Sequence, residues 1–346
     1  MSRSSKRLTV KEIAEQIGIS PATLDRVLNN RGMVKPKTYQ MVMDKIKELN
    51  YIPNKSASFL SRKQQIHMAV VFPEHPEYFW KQIETGIQTA WREFRDYGLE
   101  LELVRTEKYD PEKQRQAVGQ LIESGQYDAI ALSPAEPLLM VDLIDRAVDA
   151  GIAVCTFNTD SPASRRLFYV GCDYRIAGRV AADMLCKLTG RGKLSVIASE
   201  TNFQMQQKIA GFREVIGEHP EMEMAGPLKV TQEDYGSPEL FDEYFRQVDG
   251  IYVASARLHS IAGHLARARP ELAKPLPLVG HDMTEDIYRG LQDGLITATI
   301  CQDPVNQGYL AVKTMFECLS AGKRSQAKEY ITKLEVVTKE NAHYYV

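Results

Sequence analysis

The chain has 346 residues, 44% of them hydrophobic and 25% charged, which is long for one folded unit, ordinary for soluble domains with sizeable cores, and unlike a disordered chain. The formal charge of -2 hides an asymmetry: up to Lys63 there are 13 Lys/Arg against 5 Asp/Glu, net +8, and beyond it 30 against 40, net -10. A basic head before an acidic body suits a polyanion, because counterion release supplies much of the affinity for DNA phosphates, whereas a solvated basic face is the plainer reading of the same charge.

The opening MSRSSKRLTVKEIAEQIG has no apolar run after its basic residues, so no secretory signal is expected there. No stretch of eighteen apolar residues exists to span a membrane. Cys155, Cys172, Cys186, Cys301 and Cys318 are scattered without a CxxC pair and read as thiols of a reducing cytoplasm.

Three short helices are expected in the head. Thr9 followed by Glu12 forms a capping box for a helix whose Val10, Ile13, Ala14 and Ile17 share one face, and Gly18 ends it. Ser20 caps the next helix, with Pro21 at its first position and Leu24, Val27 and Leu28 turned inward. The third runs from about Pro36 to Leu49, with Tyr39, Val42, Met43, Ile46 and Leu49 at helical spacing, until NYIP stops it. Helix, glycine turn, helix in a basic unit of this size is a helix-turn-helix pattern, although any three-helix bundle shows the same periodicity.

Past Lys63 short apolar runs alternate with amphipathic stretches. Strands are expected at 66–72, 99–104, 127–133, 152–157, 193–199, 250–255, 276–281 and 296–302. That rhythm predicts open, mostly parallel α/β sheets, whose ligands sit beyond the carboxyl ends of the strands. No GxxxxGK loop, GxSxG elbow or HExxH motif occurs, and the seven histidines are dispersed without ligand spacing, so neither an enzyme nor a metal or cofactor site is expected.

The head carries T-x-x-x-I-A, G-I-S-P-A-T, R-V-L-N, the exit N-Y-I-P-N and A-x-x-L, and in these it resembles the DNA-binding region of the LacI family of bacterial transcription regulators. Beyond Ile66, VGHD (279–282) and DGLITATICQDPVNQGYLAV (293–312) look like that family's effector core, akin to periplasmic sugar-binding proteins. The resemblance implies an α/β fold: a three-helix head (1–52), a hinge helix and linker (53–65), and a two-lobed periplasmic-binding-protein-like (type 1) core of two doubly wound parallel sheets (66–346). It places Thr9, Ser20, Pro21, Ala22, Thr23, Arg26, Asn29, Asn54, Ala57 and Leu60 at the DNA, with Leu60 the wedge pushed into a base step. Asp25 and Lys35 depart from the usual family residues, a small hydroxyl and a serine; LDRVLN marks a branch whose cores look like ribose-type binding proteins. The function implied is a homodimeric repressor of a near-palindromic operator, cytoplasmic and without membrane contact, released by a sugar or polyol. The alternative is a sugar-binding receptor, cytoplasmic or exported, with no DNA-binding role.

The strand ends supply the effector candidates. Tyr78, Phe79 and Trp80 precede a helix at a sheet edge, where aromatic faces suit sugar C–H faces or simply fill a core. Asn158 and Asp160 follow the fourth strand, Asp282 closes VGHD, and Gln302 both donates and accepts; a carboxylate takes two vicinal hydroxyls at once. Asp160 is equally a turn cap. Lys208 stands near where the family has an arginine, and Ser255 and Arg257 where it often has Asn and Asp; Arg257 is equally a solvated charge, and His281 reads more readily as packing. Arg165 and Arg166 read as crossing-loop residues before phosphate ligands. The dimer surface is expected on ETGIQTAWREF and DYRIAGRVAADML, where Gly86, Ala90, Ala177, Ala181 and Ala182 would let helices approach closely.

Overall fold

The structure, a computed structural model, describes residues 10–28, 34–49, 65–107, 110–198, 202–230, 238–268, 276–322 and 325–345. They form two compact units, the first of residues up to 65 together with 319–323 and the second of 66–318 together with 324 onward.

The first unit holds α1 (Val10–Ile17), α2 (Pro21–Leu28) and α3 (Pro36–Glu48). Gly18, at φ 72°, ends α1: its N–H bonds the Glu15 carbonyl at 3.2 Å and the Ile19 N–H the Ala14 carbonyl at 3.0 Å, closing the C-terminal turn with a left-handed residue. The Ser20 hydroxyl accepts from the Thr23 N–H at 3.1 Å, so serine starts α2 as its residue type requires. Lys35 stands at the N-cap of α3 without a side-chain cap bond. Ile13, Ala14, Leu24, Val27 and Val42 make the core, with Ile17, Leu28, Ile46 and Leu49 packed against it. Tyr39 and Met43, at helical spacing with Val42, are exposed. Thr9, Asn29, Asn54, Ala57 and Leu60, and the side chain of Asp25, lie outside what is described.

The second unit is two lobes built on one plan. In lobe 1, β1 (Ile66–Pro73), β2 (Leu99–Thr106), β3 (Ala129–Leu132), β4 (Ala153–Phe157) and β5 (Tyr169–Gly171) run parallel in the order β2-β1-β3-β4-β5, connected in part by α4 (Glu77–Phe94), α5 (Pro111–Ser124) and α6 (Val141–Asp149). α7 (Tyr174–Thr189) leads to lobe 2, where β6 (Gly192–Ala198), β7 (Met222–Lys229), β8 (Gly250–Val253), β9 (Leu278–His281) and β10 (Ala298–Cys301) take the order β7-β6-β8-β9-β10 with α8 (Phe203–Glu218), α9 (Pro238–Phe245), α10 (Leu258–Ala268) and α11 (Glu285–Gln292). α12 (Pro304–Ala321) returns the chain; β11 (Glu329–Ile331) then adds to β5 in parallel and β12 (Glu335–Val337) to β10 antiparallel. Each order reverses between its first and third strands, the crevice where such sheets bind ligands.

The eight expected strands are present. The reading missed β5, β11 and β12, each three residues long, and the edge strand β7, whose Gly226-Pro227 breaks the strand pattern and opposite which β6 slips register between Ser195 and Ile197.

Each lobe's last crossover helix packs on the other lobe. α12 lies against α4, where a Cβ on Gly86 would meet the Val305 oxygen at 1.8 Å and one on Gly308 the Ile83 oxygen at 2.1 Å. α7 lies against α8, where Cβ atoms on Gly178 and Gly211 would meet the Lys208 and Arg175 oxygens, each at 1.9 Å. This corrects the expectation for the small residues: Gly86, Ala90, Ala177, Ala181 and Ala182 are buried in packing within the chain.

Candidate functional sites

In the head, α2 buries Leu24 and Val27 and exposes Pro21, Ala22 and Arg26, with Ala22 and Arg26 one turn apart on one face. Ser20 and Thr23 bond each other at 2.8 Å at the start of this helix. A small-residue face bearing an arginine at the end of a capped helix has the shape and donors that a major groove accepts.

In the core, the carboxyl ends of both sheets enclose a cavity of about 1090 Å³. Eight of the nine expected effector residues line it: Tyr78, Phe79, Trp80, Asn158, Lys208, Ser255, Asp282 and Gln302. Asp160 does not. Its carboxylate accepts from Nε and Nη2 of Arg166, at 2.5 and 2.6 Å, and from the Thr156 hydroxyl at 2.6 Å. Arg166 also donates to the Lys328 carbonyl at 3.1 Å, so the pair ties the β4 exit to the strand entering β11. Arg165 is spent on Asp145 and Asp149.

Asp282 follows β9 at φ 69°, in the left-handed region that a non-glycine residue occupies at a cost and that clusters at functional positions. One carboxylate oxygen accepts from Gln302 Nε2 at 2.7 Å and the other from the Tyr78 hydroxyl at 3.2 Å. Burial raises its pKa, opposed by Lys208 and these two bonds. The same burial and the adjacent carboxylate raise that of the Tyr78 phenol.

Lys208 is 3% exposed. Its ammonium donates to the Ala254 carbonyl at 2.9 Å and stands 5.6 Å over the Tyr174 ring. Burial pushes its pKa down to about 8, with Asp282 pulling the other way. Lysine and aspartate thus face one cavity without forming a close ion pair, and a hydroxyl between them could accept from one and donate to the other.

Asn158 follows β4 at φ 58°, the place in lobe 1 that Asp282 has in lobe 2. Its carbonyl accepts from the Tyr169 and Tyr174 hydroxyls at 2.9 and 2.8 Å. Trp80 stacks on Phe72 at 5.5 Å, meets Phe79 edge-on at 5.4 Å and donates its indole N–H to the His75 carbonyl at 3.0 Å. With Phe79 and Trp80 6% and 7% exposed, the two rings are largely core that turns an edge to the cavity. His281 packs inward against the Tyr252 hydroxyl, and burial drives its pKa well below the ordinary value.

Sequence reasoning missed Tyr174, Phe203 and Gln204 on the cavity wall and left Arg257 undecided; Arg257 lines it. Asn202, whose side chain accepts from the Met205 N–H at 3.0 Å, is an N-cap readable in the sequence, and it sets Phe203 and Gln204 at the mouth of α8. Among the described residues no cluster of three His, Cys, Asp or Glu could hold a metal, and no helix is long and apolar enough to cross a membrane.

Residues 68–324 match the family described as periplasmic binding protein domain, and residues 9–54 that described as bacterial regulatory proteins, lacI family. Catabolite control protein A of Staphylococcus epidermidis is 25% identical over 232 residues, 66% of this chain and 68% of that protein. The D-ribose/D-allose-binding protein of Pseudomonas aeruginosa is 26% identical over 311 residues, 82% and 92% of the two chains. Among solved structures, the glucose-galactose binding protein GanP of Geobacillus stearothermophilus is 25% identical with a TM-score of 0.72, over 81% of this chain and 99% of that one. The first curated relatives are matched over 61 to 68% of their own length.

Proposed function

The chain belongs to the periplasmic binding protein domain family over residues 68–324 and carries a match to the bacterial regulatory proteins, lacI family, over residues 9–54, and on that premise we propose that it is a cytoplasmic, homodimeric repressor released by a neutral sugar or polyol. The observation that carries the effector reading is Asp282: a half-buried carboxylate at the crevice of lobe 2, oriented by Gln302 and lining one cavity with the buried Lys208. A vicinal diol donates to both oxygens of such a group, and the lysine donates to a hydroxyl or ring oxygen of the same molecule. The cavity wall carries Lys208 and Arg257 against Glu136 and Asp282, a balance that favours an uncharged ligand over a phosphosugar.

On DNA, two copies set their α2 helices in successive major-groove half-sites about one turn apart, since one short head buries too little surface for specificity. Leu60, by the family resemblance, wedges the central step from the minor groove, its unstacking cost offset by the contacts of a bent duplex. Effector and operator are linked: an inducer binds the operator-incompetent arrangement more tightly, and the coupling is reciprocal.

A thermal-shift screen of D-ribose, D-allose, D-glucose, D-galactose, myo-inositol and the corresponding phosphates tests the reading. A ligand at about 100 times its Kd adds about 2.7 kcal/mol of stability. Asp282→Ala is expected to weaken the ligand found at least about 100-fold while operator retention is unchanged, because a buried charged partner of the ligand is lost. Phosphates that shift the melting point more than the free sugars, or a chain starting at Ile66 that holds DNA as well as the full chain, would overturn it.

A further inference from the structure

The second residue of α4 is Tyr78 and the second residue of α8 is Gln204; these are the first helices of lobe 1 and lobe 2. Tyr78 reaches across the cavity to Asp282, which follows the fourth strand of lobe 2. Gln204 reaches the other way to Asn158, which follows the fourth strand of lobe 1. Both targets have positive φ, 69° and 58°. The duplicated plan therefore places a gripping side chain and a left-handed target in each lobe and pairs them crosswise.

We infer that this reciprocal pair is a latch that sets how far the lobes close, with Gln204 its positioning residue and Tyr78 its exchangeable arm. The Gln204 amide holds the Thr159 hydroxyl at 2.6 Å, the Tyr174 hydroxyl at 3.0 Å and the Asn158 side-chain oxygen at 3.3 Å. Asn158 is in turn bonded through its own amide to Gln307 at 3.3 Å, and its carbonyl to two tyrosine hydroxyls, so this arm grips a rigid target. The Tyr78 arm is one 3.2 Å bond to the carboxylate that a diol would also take. Binding thus trades the phenol for a ligand hydroxyl at Asp282, while Gln204 keeps the lobes together around it. That division of roles rests on the effector reading above; the latch itself does not.

Lobe separation tests it without any ligand. The five native cysteines are buried, so spin labels go selectively to cysteines introduced at the exposed Thr85 and Lys187 of the full chain, one on each lobe's helix pair. The inter-label distance measured by pulsed electron resonance is expected to gain a longer population in Gln204→Ala, a smaller one in Tyr78→Phe, and the largest in the double variant. Gln204→Glu keeps the side chain's length and loses its N–H donors; it is expected to open like the alanine variant, and it covers the case in which alanine fails to fold. Unchanged distances in Gln204→Glu and in the double variant overturn the latch. In titrations with D-ribose and D-allose, Tyr78→Phe is expected to tighten binding and Gln204→Glu to weaken it, each about fivefold for one hydrogen bond. Changes of the same sign overturn the division of roles. If neither sugar binds the unaltered chain, the effector reading is what suffers, and the distances still decide the latch.

Discussion

The two lobes share a strand order, an exchanged crossover helix and a left-handed residue after the fourth strand, yet they line the cavity with different chemistry. Lobe 2 brings ions: Lys208, Arg257 and Asp282. Lobe 1 brings rings and an amide, Tyr78, Phe79, Trp80 and Asn158, with Glu136 its carboxylate on the wall. Its other carboxylate beside the fourth strand, Asp160, is closed off by Arg166. A duplicated backbone fixes where side chains emerge, and it leaves open which of them are committed to ligand and which to structure. In lobe 2 the buried Lys208 ammonium has a carbonyl against it in place of a close carboxylate, which costs stability; in lobe 1 Asp160 is paired with Arg166.

The largest effect expected comes from breaking that pairing. With side chains 7% and 12% exposed, Arg166 and Asp160 form a pair whose loss of one partner strands the other, and Arg166→Ala is expected to cost about 3–5 kcal/mol. Thermal unfolding reads the loss, and ligand affinity at temperatures where the variant stays folded is expected to hold. If Asp160→Asn instead removes the ligand response, lobe 1 does contribute an acidic ligand and the contrast between lobes fails.

Lys208 gives the next effect, and its sign follows from where the proton is. In the folded chain it releases its proton at about 8, against 10.5 in an ordinary lysine. Between those values the unfolded chain binds more protons, so stability rises with pH across that window, by on the order of 3 kcal/mol from this group. Below about 8 the buried ammonium stays charged and its cost stands in full. The buried cysteines, whose pKa values are raised, act oppositely over the upper part of the range. The informative quantity is therefore the difference between the unaltered chain and Lys208→Met, followed by chemical denaturation at several pH values. Ligand affinity is expected to fall as pH passes 8, because the donor to the ligand is the ammonium. A flat difference would place Lys208 in water and dissolve the contrast.

Much of the cavity was legible because residue type and strand-end position agree at Asp282 and Gln302, and because the family resemblance marks the place of Lys208 in the second turn of α8. Asp160 was not legible in that way. In TFNTD the asparagine and the aspartate are two residues apart at the same strand end, and what separates them is Arg166, arriving on the loop that returns to β5. The latch was hidden for a different reason. Tyr78 and Gln204 are chemically unlike, so no repeat appears in the letters, and their equivalence exists in the backbone alone. The three-residue strands β5, β11 and β12 are too short to show a period, and their pairing is imposed by neighbours. In the head, local signals and pattern agree with the packing: a serine cap, a proline and a glycine stop set the ends of α1 and α2, and the apolar face they share with α3 forms the core.

The glycines carry the smallest effect and the sharpest test of the shared plan. Small residues on α4 and α7 announce close helix approach, and a single sequence cannot say whether the partner helix belongs to the same chain. Here it does: Gly86 and Gly308 close one pair, Gly178 and Gly211 the other, each against a backbone oxygen that cannot swing away. Alanine at any of the four is expected to cost about 1–3 kcal/mol, read as a fall in melting temperature, with similar losses in the two lobes. A marked inequality would mean that one helix pair gives way and the lobes are not equivalent. Gly178→Ala should do one thing more. The oxygen its Cβ would meet is that of Lys208 itself, so this variant displaces the lysine that faces the cavity and weakens ligand binding, whereas Gly86→Ala, which presses on Val305 in the other pair, lowers stability and leaves the affinity as it was.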